Sequence, residues 1–252
     1  LGSPPRHTLG YHSRRMLTAT LRFYAALNDC LPPEHRQRTY PWCFHGSPAV
    51  KDVIESQGVP HVEVGLILAN NEPVDFLYRL RDGDRVAVYP AFANLDVSSV
   101  QRVGVQPLAD TAFVADEHLG KLARLLRLLG FDTCYAKGMD DAEIAAQAAR
   151  QGWIVLTRDR GLLKRARVEH GYWVRSTDPV EQAQEVVRRY NLEQHAKPFS
   201  LCLQCGGSLL PVDKERVLPR VPPRVRAWRD EYLLCSRCNK LYWRGTHHAR
   251  LS

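Results

Sequence analysis

Four short apolar runs between residues 113 and 178 each lead into carboxylates, in a chain of net charge +8. Phe113-Val114-Ala115 runs into Asp116-Glu117, and 131–136 leads to Asp140, Asp141 and Glu143. The run over 153–157 meets Asp159, and Tyr172-Trp173-Val174 leads to Asp178. Clustered carboxylates repel one another unless a hard cation sits among them, and Mg²⁺ or Mn²⁺ prefers such oxygen donors. Asp116 and Asp159 each close an apolar run and are expected ligands. Asp140 and Glu143 stand at a helix start, where they can equally form a capping box. They stay in the candidate catalytic set, and Asp141 is the expected third ligand. Asp178, just before Pro179, reads mainly as a cap. An acidic cation pocket in a basic chain implies a metal-dependent enzyme acting on a polyanion.

A second set of ligands is separate. Cys202-x-x-Cys205 and Cys235-x-x-Cys238 stand with 29 residues between the inner cysteines. Each pair fits a knuckle that aims two thiolates at one ion, and four thiolates make a closed tetrahedral Zn²⁺ site. Such a site supplies folding energy and leaves no open position for chemistry. His247 and His248 lie beyond a shell that is already complete. Cys30, Cys43 and Cys134 are scattered, and the odd total of seven points to a reducing, cytoplasmic setting rather than a disulfide framework.

Cationic side chains surround the acids. Arg158, Arg160, Lys164, Arg165 and Arg167 follow the third run. Lys121, Arg124 and Arg127 follow Asp116 and, three apart, are expected to share one helix flank. His118 stands beside Asp116 and is a candidate substrate contact. Arg220, Arg224, Arg226 and Arg229 lie between the cysteine pairs with Trp228. Contacts of this kind bind phosphates without reading sequence. Trp228, Tyr242 and Trp243 are either stacking platforms for unpaired bases or core residues of a small ribbon.

The elements that position these groups follow from period and punctuation. Apolar runs alternating with helical patterns mark a parallel α/β sheet, whose strand C-termini share one edge. Helices are expected over 119–129, with Gly130 as C′ cap, over 141–151 with Gly152 ending it, over 162–169 and over 179–190. Ahead of them, 16–92 alternates as strands over 18–24, 39–44, 62–68 and 85–89. A helix over 48–57 falls among them, with Ser47 as N-cap and Pro48 at N1. Turns are expected at Asn70-Asn71 and Asp82-Gly83. This ββαβ order with a last strand resembles the β-grasp fold of ubiquitin-like sulfur carriers, but it ends Pro90-Ala91-Phe92 and lacks their terminal Gly-Gly. A docking or RNA-positioning module is expected there. The basic stretch over 1–15 reads as a disordered tail without a signal-peptide core, and 93–110 as a linker. A zinc ribbon is expected over 199–252. No apolar run reaches the roughly 18 to 20 residues that span a bilayer.

The segment from Phe113 through Arg124 resembles the opening of the PIN-like ribonuclease family named for the Mut-seven C-terminal region. Leu128-Leu129-Gly130-Phe131-Asp132-Thr133, Asp140-Asp141-Ala142-Glu143-Ile144 and Leu156-Thr157-Arg158-Asp159-Arg160 continue the likeness. The cysteine knuckles and Tyr242-Trp243-Arg244-Gly245-Thr246-His247 close it. His118 departs from the usual pattern, which has an aliphatic residue there. The resemblance implies a PIN-like domain over 111–198, a Mg²⁺- or Mn²⁺-dependent RNase, and ligand roles for Asp116, Asp141 and Asp159. Bacterial members often carry an N-terminal ubiquitin-like domain. The expected substrate is structured RNA such as tRNA or rRNA, with a possible protein partner at the β-grasp unit. The alternatives are a non-catalytic RNA- or ribosome-binding protein and a ubiquitin-like adaptor. A receiver-type phosphorylation domain would also carry an acidic pair after its first strand, but no lysine clearly follows a last strand.

Overall fold

The computed structural model describes residues 16–91, 99, 101–103, 111–227 and 230–243. The expected tail, most of the expected linker, and Trp228, Arg229, His247 and His248 lie outside the described residues.

Period-two alternation builds the first sheet. β1 (Leu17–Phe23) buries Ala19, Leu21 and Phe23 on one face. β2 (Tyr40–Phe44) returns antiparallel to it. After α1 (Val50–Ser56) come β3 (Val64–Ala69), β4 (Glu72–Pro73) and β5 (Arg85–Pro90). The sheet order is β2-β1-β5-β3-β4, with β5 parallel to β1 and antiparallel to β3. A last strand that returns parallel beside the first, with one helix between, is the expected β-grasp arrangement. Asn70 and Asn71 carry φ of 53° and 73°, which makes the tight turn from β3 to β4. At the β3 bulge, a Cβ on Gly65 would lie 2.4 Å from Ala91 Cα, so the close approach requires glycine.

Two expectations in this unit are corrected. Ser47 does not cap α1: its hydroxyl donates to the Leu80 carbonyl, and Ala49 is the N-cap residue. Pro48 and Ala49 are paired with the 78–80 segment, through Leu80 N–H to Pro48 O, Val50 N–H to Tyr78 O and an Ala49–Arg79 bridge. Pairing with that segment therefore overrides the Ser-Pro start signal. β3 begins at Val64 because 61–63 form a 3₁₀ turn.

The second sheet is parallel. Its elements are β6 (Phe113–Ala115), α2 (Gly120–Leu128), β7 (Thr133–Tyr135), α3 (Asp141–Gln151), β8 (Ile154–Thr157), α4 (Arg160–Leu163), β9 (Gly171–Trp173) and α5 (Pro179–Arg189). The order is β7-β6-β8-β9, every neighbouring pair parallel. β6 and β8 are buried throughout, as expected for strands covered on both faces. Phe113, Ala115 and Leu156 pack with Leu122 and Leu126 of α2 and Val186 of α5. Val114 and Val155 alternate to the other face, where α3 buries Ile144, Ala145 and Ala148 toward β6 and β8. The chain leaves β6 for β7 on one side and returns to β8 on the other. The loops after β6 and β8 therefore part, leaving a crevice at their C-terminal ends.

Gly130 and Gly152, at φ 91° and 66°, follow α2 and α3 as expected. At α2 the Phe131 and Gly130 N–H groups bond the Leu126 and Arg127 carbonyls, a Schellman ending. The helix expected over 162–169 is instead the four-residue α4. Asp159 starts it early by accepting the Gly161 N–H, and the chain then turns so that Val168 is buried.

The ribbon comprises β10 (Leu209–Val212), α6 (Lys214–Val217), α7 (Pro223–Arg226), β11 (Tyr232–Cys235) and β12 (Leu241–Trp243). It is an antiparallel sheet in the order β10-β11-β12. Val217 and Val221 are buried with Tyr232 in a small core of their own. The chain divides into two compact units, one holding the described residues through 91 with 99 and 101–103, the other those from 111 onward. The parallel sheet and the ribbon thus share one unit. No helix among the described residues is long and apolar enough to cross a membrane.

Candidate active site and metal centre

Asp116 stands where β6 ends. Its Oδ1 accepts the His118 N–H at 2.9 Å, which caps a 3₁₀ turn over 117–119 ahead of α2. Its Oδ2 accepts the hydroxyl of Thr157, the last residue of β8. The same hydroxyl oxygen accepts the Asp159 backbone N–H at 2.9 Å. One buried side chain thus ties the two strand ends together across the crevice. Asp116 is only 7% exposed, and no cationic side chain pairs with it among the described residues. A carboxylate taken from water without a counter-charge is costly, and here the His118 N–H and the Thr157 hydroxyl offset part of that cost. Thr157 is the residue that sequence reasoning passed over. Its signal is a hydroxyl ending an otherwise aliphatic strand, one step before the charged run.

The remaining acids divide. Asp159 is exposed, and its Oδ1 accepts the Gly161 N–H at 2.7 Å. Asp141 opens α3 and pairs with Arg165 at 3.3 Å, both side chains nearly half exposed. Asp140 and Glu143 form a complete capping box: Asp140 Oδ1 accepts the Glu143 N–H at 2.8 Å, and Glu143 Oε2 accepts the Asp140 N–H at 2.9 Å. Asp178 caps α5 through the Val180 and Glu181 N–H groups. Glu117 and His118 are exposed and lie 3.8 Å from each other. The carboxylates occupy one edge as expected, but they are not gathered into a ligand cage. Among the described residues, the only set of three or more metal-type side chains with ligand atoms within 4.8 Å of one another is the cysteine set.

The basic residues require correction. Arg127 does not share an open flank with Lys121 and Arg124, which are exposed. Six residues along a helix is a rotation of about 600°, so Arg127 has drifted by about 120° toward the apolar stripe. It is 5% exposed, and its guanidinium is spent on backbone carbonyls. Arg158 is likewise engaged, its Nη1 donating to the Val174, Arg175 and Ser176 carbonyls beyond β9. Arg160 lies over the Trp173 ring, 5.1 Å from its centroid. Lys164 is half-buried, and Arg165 holds Asp141. A shallow groove is lined by Ala146, Ala149, Arg150, Ala166, Arg167 and Glu169.

The four cysteines converge as expected. Cys202 Sγ lies 3.6 Å from Cys238 Sγ, and Cys205 Sγ 3.4 Å from Cys235 Sγ. Tetrahedral Zn²⁺ with bonds near 2.3 Å implies sulfur separations of about 3.8 Å, so the set fits that ion. Turn backbone aims the thiols: the Arg237 and Cys238 N–H groups both point at Cys235 Sγ at 3.4 Å. Burial pushes the Cys202 thiol up, but the Tyr242 hydroxyl and the Cys205 and Gln204 N–H groups outweigh it and bring its pKa down to about 6. Burial pushes Cys205 up to about 12, with the other thiols adding to it. Tyr242 sits 3.1 Å from Cys202 Sγ and packs on this cluster. Trp243 packs with Tyr232 and Val217. Both aromatics are partly buried and pack against the ribbon's cores.

A family model described as Mut7-C RNAse domain matches residues 111–252, and one described as Mut7-C ubiquitin matches residues 16–96. No curated protein matches the chain.

Proposed function

The chain belongs to the Mut7-C RNase domain family, which implies a ribonuclease, and on that premise we propose that it hydrolyses RNA phosphodiester bonds with Mg²⁺ or Mn²⁺ at the β6–β8 crevice. The observation that carries this reading is the buried carboxylate of Asp116, held by Thr157 and lacking a cationic partner among the described residues. Asp116, Asp159 and Asp141 would hold the cation. When bound, it supplies an activated water and charge to offset the leaving oxygen. Thr157 and the His118 N–H fix the Asp116 carboxylate in advance, and the Thr157 oxygen fixes the Asp159 backbone. Arg165 engages only Oδ2 of Asp141, so the other carboxylate oxygen would be open to the cation while Arg165 stays at the edge to meet a substrate phosphate. Lys121 and Arg124, both exposed on α2, would contact the backbone on the β6 side.

We place structured RNA such as tRNA or rRNA as the substrate, because a chain with a β-grasp unit, a nuclease domain and a ribbon carrying basic loops can recognise a shape. Equal affinity for folded RNA and single-stranded oligonucleotides at matched salt would overturn that choice. The test of the reaction is cleavage of total cellular RNA with Mg²⁺ or Mn²⁺, comparing the wild type with Asp116→Asn and Asp159→Asn. Metal-dependent cleavage lost in both variants supports the reading. Equal cleavage by all three sinks it.

A second reading, a non-catalytic RNA-binding protein, draws on the capping roles of Asp140, Glu143, Asp159 and Asp178. RNA binding without cleavage by any form would favour it. An adaptor role for the ubiquitin-like unit would appear as cleavage retained and partner binding lost on deleting residues 1–95.

A further inference from the structure

The cysteine cluster and the parallel sheet meet at one side chain. Arg127, on the last turn of α2, donates from Nε to the Thr133 carbonyl at 2.8 Å. Its Nη1 donates to the carbonyls of Leu203 at 3.2 Å and Gln204 at 3.0 Å. Thr133 is the first residue of β7, and Leu203 and Gln204 are the residues between Cys202 and Cys205. The knuckle is laid directly on the guanidinium: a Cβ on Gly206 would sit 3.4 Å from Arg127 Nε. Burial disfavours the charge of this guanidinium, and the three backbone carbonyls offset part of that cost. Four thiolates around Zn²⁺ carry a net charge of −2, so the filled site supplies counter-charge as well as rigid carbonyls.

We infer that Arg127 is a positioning residue through which filling of the cysteine site sets the order of β7. With zinc bound, the knuckle carbonyls are fixed and Arg127 pins Thr133. With zinc removed, the knuckle loosens and Arg127 loses two of its three carbonyl acceptors. β7 is a three-residue edge strand of the described sheet, and the Arg127 bond is one of the ties that hold it to the rest of the unit. The same strand leads to Asp141, which extends the effect to the acidic edge. The inference stands apart from the proposed reaction, because its readout is backbone order.

The test is hydrogen exchange on the full chain, with zinc stoichiometry measured in parallel. In the wild type, chelating zinc should speed exchange over 131–136 on the order of 100-fold, and far more than in β8. In Arg127→Met with zinc still bound, exchange over 131–136 should already be fast and no longer respond to the chelator. Arg127→Lys, which keeps the charge but not the fork, should restore part of the protection. Protection over 131–136 that survives zinc removal in the wild type would overturn the inference. So would wild-type protection in zinc-loaded Arg127→Met, or a uniform rise across β6, β8 and β9, which marks an arginine that only stabilises. The wild-type arm decides even if Arg127→Met does not fold.

Discussion

The Thr157 hydroxyl donates to the Asp116 carboxylate while its oxygen accepts the Asp159 N–H, so one buried side chain organises both acids flanking the crevice. Thr157→Val keeps the shape but leaves these groups unmatched, at about 1–3 kcal/mol for each. Cleavage should fall roughly 10- to 100-fold, as for other groups that orient a metal ligand. Thr157→Ser, which keeps the hydroxyl, should retain most activity. Single-turnover rates for the two variants check this, and equal loss in both would remove the hydroxyl from the argument.

Asp116→Asn should cost more than Thr157→Val, beyond roughly 100-fold, because it removes the charge and not only its orientation. Asp159→Asn should behave similarly. Asp141→Asn separates two roles. As a ligand it lowers activity and weakens the apparent affinity for Mn²⁺, whereas as a mere partner of Arg165 it changes neither. Titration of activity with Mn²⁺ for each variant gives the answer.

The capping box predicts the opposite pattern. Asp140→Ala should destabilise the second unit by about 1 kcal/mol, a fall of roughly 2–4 °C in its thermal midpoint, with the rate per folded molecule retained. Glu143→Ala should do the same to a smaller degree. A large loss of activity without loss of stability would return either residue to the catalytic set.

Gly130→Ala should be severe. The φ of 91° disfavours a side chain, and a Cβ would lie 2.3 Å from the Lys197 carbonyl. The Lys197 and Phe199 N–H groups bond the Leu129 and Leu128 carbonyls at this point, so the clash displaces the segment leading to the ribbon. A cost of at least about 2 kcal/mol is expected, lowering the midpoint of the second unit by about 5 °C or more. Zinc content should stay near that of the wild type, since the cysteines are untouched. Calorimetry with metal analysis checks both.

The local signals in the sequence were physically self-sufficient. Gly152 ends α3 because only a residue tolerant of positive φ fits there, and Asp140 with Glu143 caps it because both partners lie within one turn. The cysteine knuckles were legible for the same reason, each being a short loop that aims its own thiols. The alternation of apolar runs with helices gave the parallel sheet, because strands covered on both faces cannot be polar. Tertiary structure decided what depends on partners distant in the chain. Pairing with 78–80 drew Ser47 away from capping α1, and helix rotation carried Arg127 from a phosphate-binding flank into a buried strut. Thr157 gained its importance only because the strand order sets β8 beside β6, which brings its hydroxyl to Asp116. Residue type and short-range spacing fix the first kind of feature. The second kind depends on which strand ends and loops the fold makes neighbours, and nothing in a local window of sequence carries that information.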